Sequence, residues 1–474
     1  MVTKPLPKNA HGGPLEMKYS KADTVQKTHH LPTLKFEDQQ LTSFSGLLLF
    51  QQLFNLIDLR ESLRLCFRHQ EVGSIFGHGR IVLLLIVHFV LGFRHLREMR
   101  FHAGDPIVQR TVGLKRTPDV ATVSRVLAGT DRQSVNKLQK LLTDLVLDRL
   151  LDLQLTTVTL DFDGSVLSTG RFAEGTAVGF NRKKKGQRSY YPLFCTVAQT
   201  GQVLDVLHRS GNVHDSNGAA AFIRGCVGHI RQALPGARIE TRLDGAFFSD
   251  QIVSLLDQLG VDYSISVPFT RLPALKEIVE NRQLWYHGSA GMQYFELQWK
   301  PKSWQRRHRF VVICNEVKIQ SKEPVQLDLF QPFKTGCDFK VVISNKSLSV
   351  PRLIDFHNGR GSQEGIFGEL KSENALGYVP TRTWTGNQTY MLAALLAHNL
   401  TRELQMRIQA PHRQTNSKRA SLWKFMNINT VRRQFVQRAG RLIRPQGRLV
   451  LSMSANAAVK EDMLHILDVL KDAA

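Results

Sequence analysis

The feature that most restricts the fold is the alternation of strand and helix texture between residues 157 and 267. Period-two patterning predicts strands over 157–163, 191–197 and 203–208, and the short turn between the last two predicts an antiparallel meander. A helix over 217–234, a strand over 238–243, a helix over 250–259 and a strand over 262–267 complete the series. The order β-β-β-α-β-α-β fits an α/β core with its last two strands parallel to the first.

Within the first strand, Val158, Leu160 and Phe162 point one way while Thr159, Asp161 and Asp163 point the other. Burying an acid in a central strand is costly unless it is paired or ligates a metal, so this face is either a site or a solvated edge. Asp244 ends the strand at 238–243 and precedes Gly245; a carboxylate there sits where α/β sheets present their sites, although Asp-Gly is also an ordinary turn. The third element is His357-x2-Arg360-x3-Glu364-x6-Lys371. At about 100° per residue Arg360, Glu364 and Lys371 share one helix face, with Ile366 and Leu370 opposite. A salt-bridged surface helix has the same pattern.

The flanks have different textures. Residues 1–40 read as a flexible basic arm, 41–151 as a helical region, about 270–350 as a β-rich insertion in a core spanning 152–408, and 409–474 as a basic C-terminal region for DNA binding or dimerisation. In the helical region Asp119 precedes a helix-start pattern carrying Arg125, similar to the recognition helix of some repressors and equally to a plain bundle helix. Lys and Arg outnumber Asp and Glu 63 to 40, and residues 401–450 hold twelve Lys or Arg against Glu403 alone, so a polyanionic partner is expected. The longest apolar stretch, 81–93, is shorter than a membrane span and contains His88; it reads as a buried helix. No secretory signal is evident, which predicts a cytoplasmic, nucleoid-associated protein and no membrane partner. The five cysteines, Cys66, Cys195, Cys226, Cys314 and Cys337, show no metal-ligand spacing and are expected to be small buried hydrophobes.

Taken together, Asp163-Gly164-Ser165, Arg242-Leu243-Asp244-Gly245-Ala246-Phe247 and the Arg360/Glu364/Lys371 spacing resemble the three motifs of DDE transposases from bacterial insertion sequences. The subgroup is the one with a Tyr-x2-Arg-x3-Glu-x6-Lys third motif; segments 41–47 and 210–215 are similar to the insertion-sequence family designated thirteen-eighty. The likeness runs from about residue 35 to 450 and departs at His357, which stands where the subgroup has Tyr.

The resemblance implies an RNase H-like core, a mixed sheet flanked by helices, with a β-rich insertion and an all-α N-terminal DNA-binding region. It implies metal-dependent cleavage at the ends of an element and strand transfer into target DNA. Such chemistry uses two Mg²⁺ or Mn²⁺ ions per site, held by carboxylate oxygens. Asp163 would bridge them, Asp244 and Glu364 would each bind one, and Asp161 is the alternate first ligand. Arg360, Lys371 and His357 would hold phosphates. Trp299 or Trp304 would stack on an unpaired base, or else pack in the core. Lys183, Lys184 and Lys185 lie in a loop suited to flanking or target DNA, or simply solvated. Gln326, Leu327, Leu329 and Phe330 resemble a peptide that docks on the bacterial sliding clamp, or are an edge strand. Terminal inverted repeats and target DNA would be the substrates, with a dimer in the DNA complex. The competing expectations are a DNA nuclease or resolvase without strand transfer, and an inactive end-binding regulator.

Overall fold

The computed structural model describes residues 31–37, 40–70, 76–179, 184–213, 217–288, 291–316, 337–412 and 420–472. The first 30 residues of the expected arm, Lys183, and Gln326, Leu327, Leu329 and Phe330 lie outside the described residues. By its contacts the chain divides into Met1–Gln39 and Gln40–Ala474. In the first unit, residues 31–37 carry neither helix nor strand.

The second unit begins with β1 (Leu41–Thr42), followed by α1 (Leu47–Leu56), α2 (Leu59–Phe67), α3 (His78–Leu91), α4 (Pro106–Val112), α5 (Val120–Ala128) and α6 (Arg132–Asp152). Each of α4, α5 and α6 starts at an aspartate, Asp105, Asp119 or Asp131, whose carboxylate accepts from first-turn backbone N–H groups. Helix α3 is buried on all sides from Ile81 to Leu91, His88 included, as its apolar run predicts.

The core then runs β2 (Thr157–Gly164), β3 (Leu167–Ser168), β4 (Ala177–Val178), β5 (Arg188–Tyr190), β6 (Leu193–Val197), β7 (Gln202–Leu207), α7 (Ala219–Ala233), β8 (Arg238–Leu243), α8 (Asp250–Gln258), β9 (Asp262–Ser266) and α9 (Pro273–Glu280). Next come β10 (Tyr286–His287), β11 (Gln293–Trp299), β12 (His308–Glu316), β13 (Cys337–Ser344), α10 (Val350–Asn358), α11 (Gly361–Glu373) and α12 (Trp384–Ile408). Among the described residues nine strands form one sheet in the order β10-β11-β12-β13-β9-β8-β2-β6-β7. Strands β2, β8 and β9 are parallel neighbours, and β2-β6-β7 is the expected antiparallel meander. Strand β13 pairs antiparallel with β9, Val342 opposite Ser266, so β10–β13 extend the same sheet. Val341, Val342 and Ile343 are all buried, as a strand covered on both faces requires.

One sheet face, carrying Val158, Leu160 and Phe162, packs in a single apolar cluster with residues of α7, α8 and α9. The other carries polar side chains beneath α10 and α11. Helix α12 is buried almost throughout and shares its core with α1, α3 and α5, so the expected boundary near residue 151 is not a break in packing. Beyond it, α13 (Ile428–Val431), β14 (Gly440–Ile443), β15 (Val450–Met453) and α14 (Ala457–Asp472) return to the N-terminal helices. Strand β14 pairs with β1, and Gly46 N–H donates to Val436 O at 3.2 Å. A Cβ at Gly46 would meet Phe435 O at 1.6 Å, so this seam requires glycine. Cys66, Cys195 and Cys226 are buried free thiols as expected; Cys314 differs, being disulfide-bonded.

His88 Nδ1 and His102 Nε2 lie 2.9 Å apart inside the helical region. Burial lowers His88 to about 3, with His102 beside it adding to the effect, and burial lowers His102 to about 4. The unfolded chain binds these protons near pH 6.5, so the stability contributed by the neutral pair is complete above that value and is lost as pH falls toward 4. The urea midpoint is therefore expected to drop between pH 7 and 5, less steeply in His88→Gln; an identical drop would mean that other groups set the acid limit.

Candidate active site

The site forms at the carboxyl ends of β2 and β8. These strands are paired in parallel with Phe162 opposite Leu243, which makes Asp163 and Asp244 the next residues of adjacent strands. Neighbouring strands lie about 4.8 Å apart, and alternation turns both side chains to the α10/α11 face. Asp163 Oδ1 accepts from Gly164 N–H at 2.8 Å and Oδ2 from Arg360 Nη1 at 3.2 Å. Asp244 caps a short 3₁₀ turn, Oδ1 accepting from Ala246 N–H at 3.0 Å.

Asp161, the other acid of β2, has a different environment. Both of its oxygens accept from Arg242, Nε to Oδ1 and Nη2 to Oδ2, each at 2.6 Å. Both side chains are fully enclosed. Burial raises the Asp161 carboxyl above its ordinary value, and the charge and hydrogen bonds of Arg242 oppose the rise. Glu240, one step earlier on β8, pairs with buried Lys346 at 2.5 Å. The polar face thus grades from closed ion pairs at Glu240 and Asp161 to the half-buried Asp163 and Asp244 at the strand ends.

Helix α11 meets that edge with its first turn. Arg360 precedes the helix and reaches Asp163, while Gln363 Nε2 donates to Asp161 O at 2.9 Å. On the inward face Ile366, Phe367 and Leu370 are buried, and Glu369 is paired with Arg402 of α12. Glu373 is paired at 2.6 Å with Arg432, whose Nη2 also donates to Phe89 O at 2.6 Å. The helix is therefore clamped from behind, with Glu364 and Lys371 on the exposed side, as the 100° spacing predicts.

His357 is placed differently from expectation. It is buried on α10, with Nδ1 3.0 Å from Ser264 Oγ and Nε2 2.9 Å from Ser266 Oγ. Burial, then nearby Lys340, Arg360 and Arg242, lower it to about 3, so it is neutral and both nitrogens are engaged with β9. It thereby fastens α10 to β9. Lys340 of β13, which the sequence reading overlooked, donates to Asn358 Oδ1 at 2.6 Å and lies close enough to Arg360 for the two charges to interact. Arg242 was also overlooked as a partner; the signal was present, because Glu240, Arg242 and Asp244 alternate onto the same face as the β2 acids.

The remaining expected contacts are dispersed. Trp304 is buried, its ring 4.8 Å from Phe248, and Trp299 is half-buried at 5.1 Å from Phe310; both pack within the sheet core. Lys184 and Lys185 are exposed. Arg125 is exposed on α5 and donates to Thr122 Oγ1 at 3.0 Å, while Val123 and Leu127 of that helix face the bundle. Of the basic tail, Arg402, Arg407 and Arg432 are consumed by Glu369, Glu403 and Glu373.

As ligands, carboxylates suit hard divalent ions. Asp163 and Asp244 stand in register for such a role. Among the described residues no three His, Cys, Asp or Glu side chains are gathered as a metal-holding group.

The sequence family described as transposase DDE domain group 1 matches residues 26–474. No curated protein matches the chain. Among solved structures, a piggyBac transposase synaptic complex with hairpin DNA is similar at 11% identity and a TM-score of 0.41, over 76% of this chain and 74% of that one. A Mos1 transposase paired-end complex with the left transposon end is similar at 10% identity and a TM-score of 0.17, over 33% and 52%. Such likenesses are too slight to argue from, and the family match stands without them.

Proposed function

The chain belongs to the DDE transposase family, group 1, and from that premise we propose that it cuts DNA at the ends of a mobile element and joins them to a target. The observation that supports this best is the pairing of Asp163 with Asp244 at adjacent strand ends, faced by the first turn of the helix that carries Glu364. On this reading the core is RNase H-like, and the subgroup is the one similar to the insertion-sequence family designated thirteen-eighty.

Asp163, Asp244 and Glu364 would hold Mg²⁺ or Mn²⁺, two ions per site. Bound there, the metal would neutralise charge on the scissile phosphate and act as a Lewis acid. The chain's own groups do the rest. Arg360 neutralises Asp163 while the ends are unoccupied and, turned outward, can hold a phosphate with two parallel hydrogen bonds. Lys340 and Lys371 add positive charge around the same edge. His357 and Gln363 fix α10 and α11 against β9 and β2, so that the carboxylates need little reorganisation. Duplex DNA carrying the terminal repeats is the substrate, and two ends held together imply at least a dimer in the DNA complex.

The test is cleavage and strand transfer on a supercoiled plasmid bearing the flanking repeats, with Mg²⁺ or EDTA. Metal-dependent joined products are expected. Cutting without joining would replace the proposal with a nuclease or resolvase, and end binding without cutting would replace it with a regulator.

A further inference from the structure

The small sheet formed by β1, β14 and β15 lies far along the chain from the carboxylates and carries a strongly basic hairpin. Between Val431 and Met453 there are six arginines and no acid. Arg432 is internal, whereas Arg441, Arg444 and Arg448 are exposed along β14 and at the tip. The tip is a tight turn: Arg448 N–H donates to Pro445 O at 3.0 Å across Gln446 (φ 51°) and Gly447 (φ 79°). Two successive left-handed residues make this a type I′ turn, whose twist matches that of the strands.

Opposite the hairpin stands the end of α4. A cleft of about 680 Å³ separates them, lined by Arg110 and Lys115 on one wall and by Leu442, Arg444 and Leu449 on the other. The walls are tied together, because Thr42 Oγ1 of β1 donates to both oxygens of Asp105, at 2.9 and 2.8 Å, and Asp105 caps α4. Arg110, Lys115 and Arg444 are exposed, and among the described residues no carboxylate pairs with them. Burial, and after it the charge of Arg110, lower the neighbouring Arg60 guanidinium below its ordinary value.

We propose that this cleft is a phosphate clamp for duplex DNA: Arg110, Lys115 and Arg444 grip the sugar-phosphate backbone from two sides while the β14–β15 ribbon lies along the adjoining groove. The proposal rests on the transposase reading for its choice of nucleic acid. A two-stranded ribbon has the width of a major groove, and phosphate contacts of this kind carry affinity without sequence preference.

The test is the salt dependence of binding to a linear duplex of arbitrary sequence. It compares the full chain with Arg110→Gln/Lys115→Gln/Arg444→Gln and with a control pair, Arg224→Gln/Lys276→Gln, on α7 and α9 against the opposite sheet face. Each phosphate contact contributes about 0.9 to the slope of log K against log salt. The triple variant is expected to lower the slope magnitude by about 2–3 between roughly 50 and 200 mM salt, the control to leave it near the parent's, and Arg444→Lys to keep the parent slope. An unchanged slope in the triple variant, with metal-dependent joining by the parent intact, would overturn the clamp and leave the transposase reading standing. An equal loss in the control would also overturn it, by showing diffuse attraction. Absence of joining by the parent while the triple variant shows the reduced slope would instead remove the transposase reading and support the clamp.

Discussion

Asp244→Asn, Glu364→Gln and Asp163→Asn are each expected to reduce metal-dependent strand joining by at least on the order of a thousandfold, or about 4 kcal/mol of transition-state stabilisation, while keeping the parent's urea midpoint. The amide keeps the shape of the side chain and its power to accept from Ala246 N–H or Arg360, but loses the charge that a divalent ion requires. Because Asp163 and Asp244 are half-buried at strand ends and Glu364 is exposed on α11, none of the three changes leaves a buried ion unpaired. Activity and stability should therefore separate. Undiminished joining in any one variant would remove that residue from the ligand set.

Asp161→Asn should do the reverse. Its loss leaves Arg242 fully enclosed with its counter-charge gone, and breaking a buried pair in this way costs about 3–5 kcal/mol. The expected result is a large fall in the urea midpoint, partly recovered when Arg242→Met accompanies Asp161→Leu, since an apolar pair of similar volume avoids the unpaired charge. If Asp161→Asn instead folds as stably as the parent and loses joining alone, the ligand assignment moves from Asp163 to Asp161. The two neighbouring acids are thus told apart by which quantity each one changes.

That distinction marks the limit of what could be read from the residues alone. Alternation along 157–163 puts Asp161 and Asp163 on one face, but their separation depends on Arg242, a cross-strand partner 81 positions away that becomes visible only once β2 and β8 are in parallel register. The helix face of Arg360, Glu364 and Lys371 was legible because 3.6-residue periodicity is local. The fate of His357 was not, because the serines that hold it come from β9. Similarly, the strand texture of 292–299, 308–315 and 339–344 was evident, whereas the addition of these strands to the main sheet is decided by the edge that β9 offers to β13. The arginines of the tail looked alike in sequence; the structure divides them into Arg402 and Arg432, which fasten α11, and the hairpin set that faces outward.

The seam joining β1 and Gly46 to β14 and Val436, with α12 filling the core of the first helices, bears on how the protein is made. On the ribosome, α3 emerges nearly three hundred residues before the helix that covers it, so the nascent chain holds an apolar helix without its native partner for most of synthesis. A chain truncated before α12 would be unable to complete its core and would be open to proteolysis.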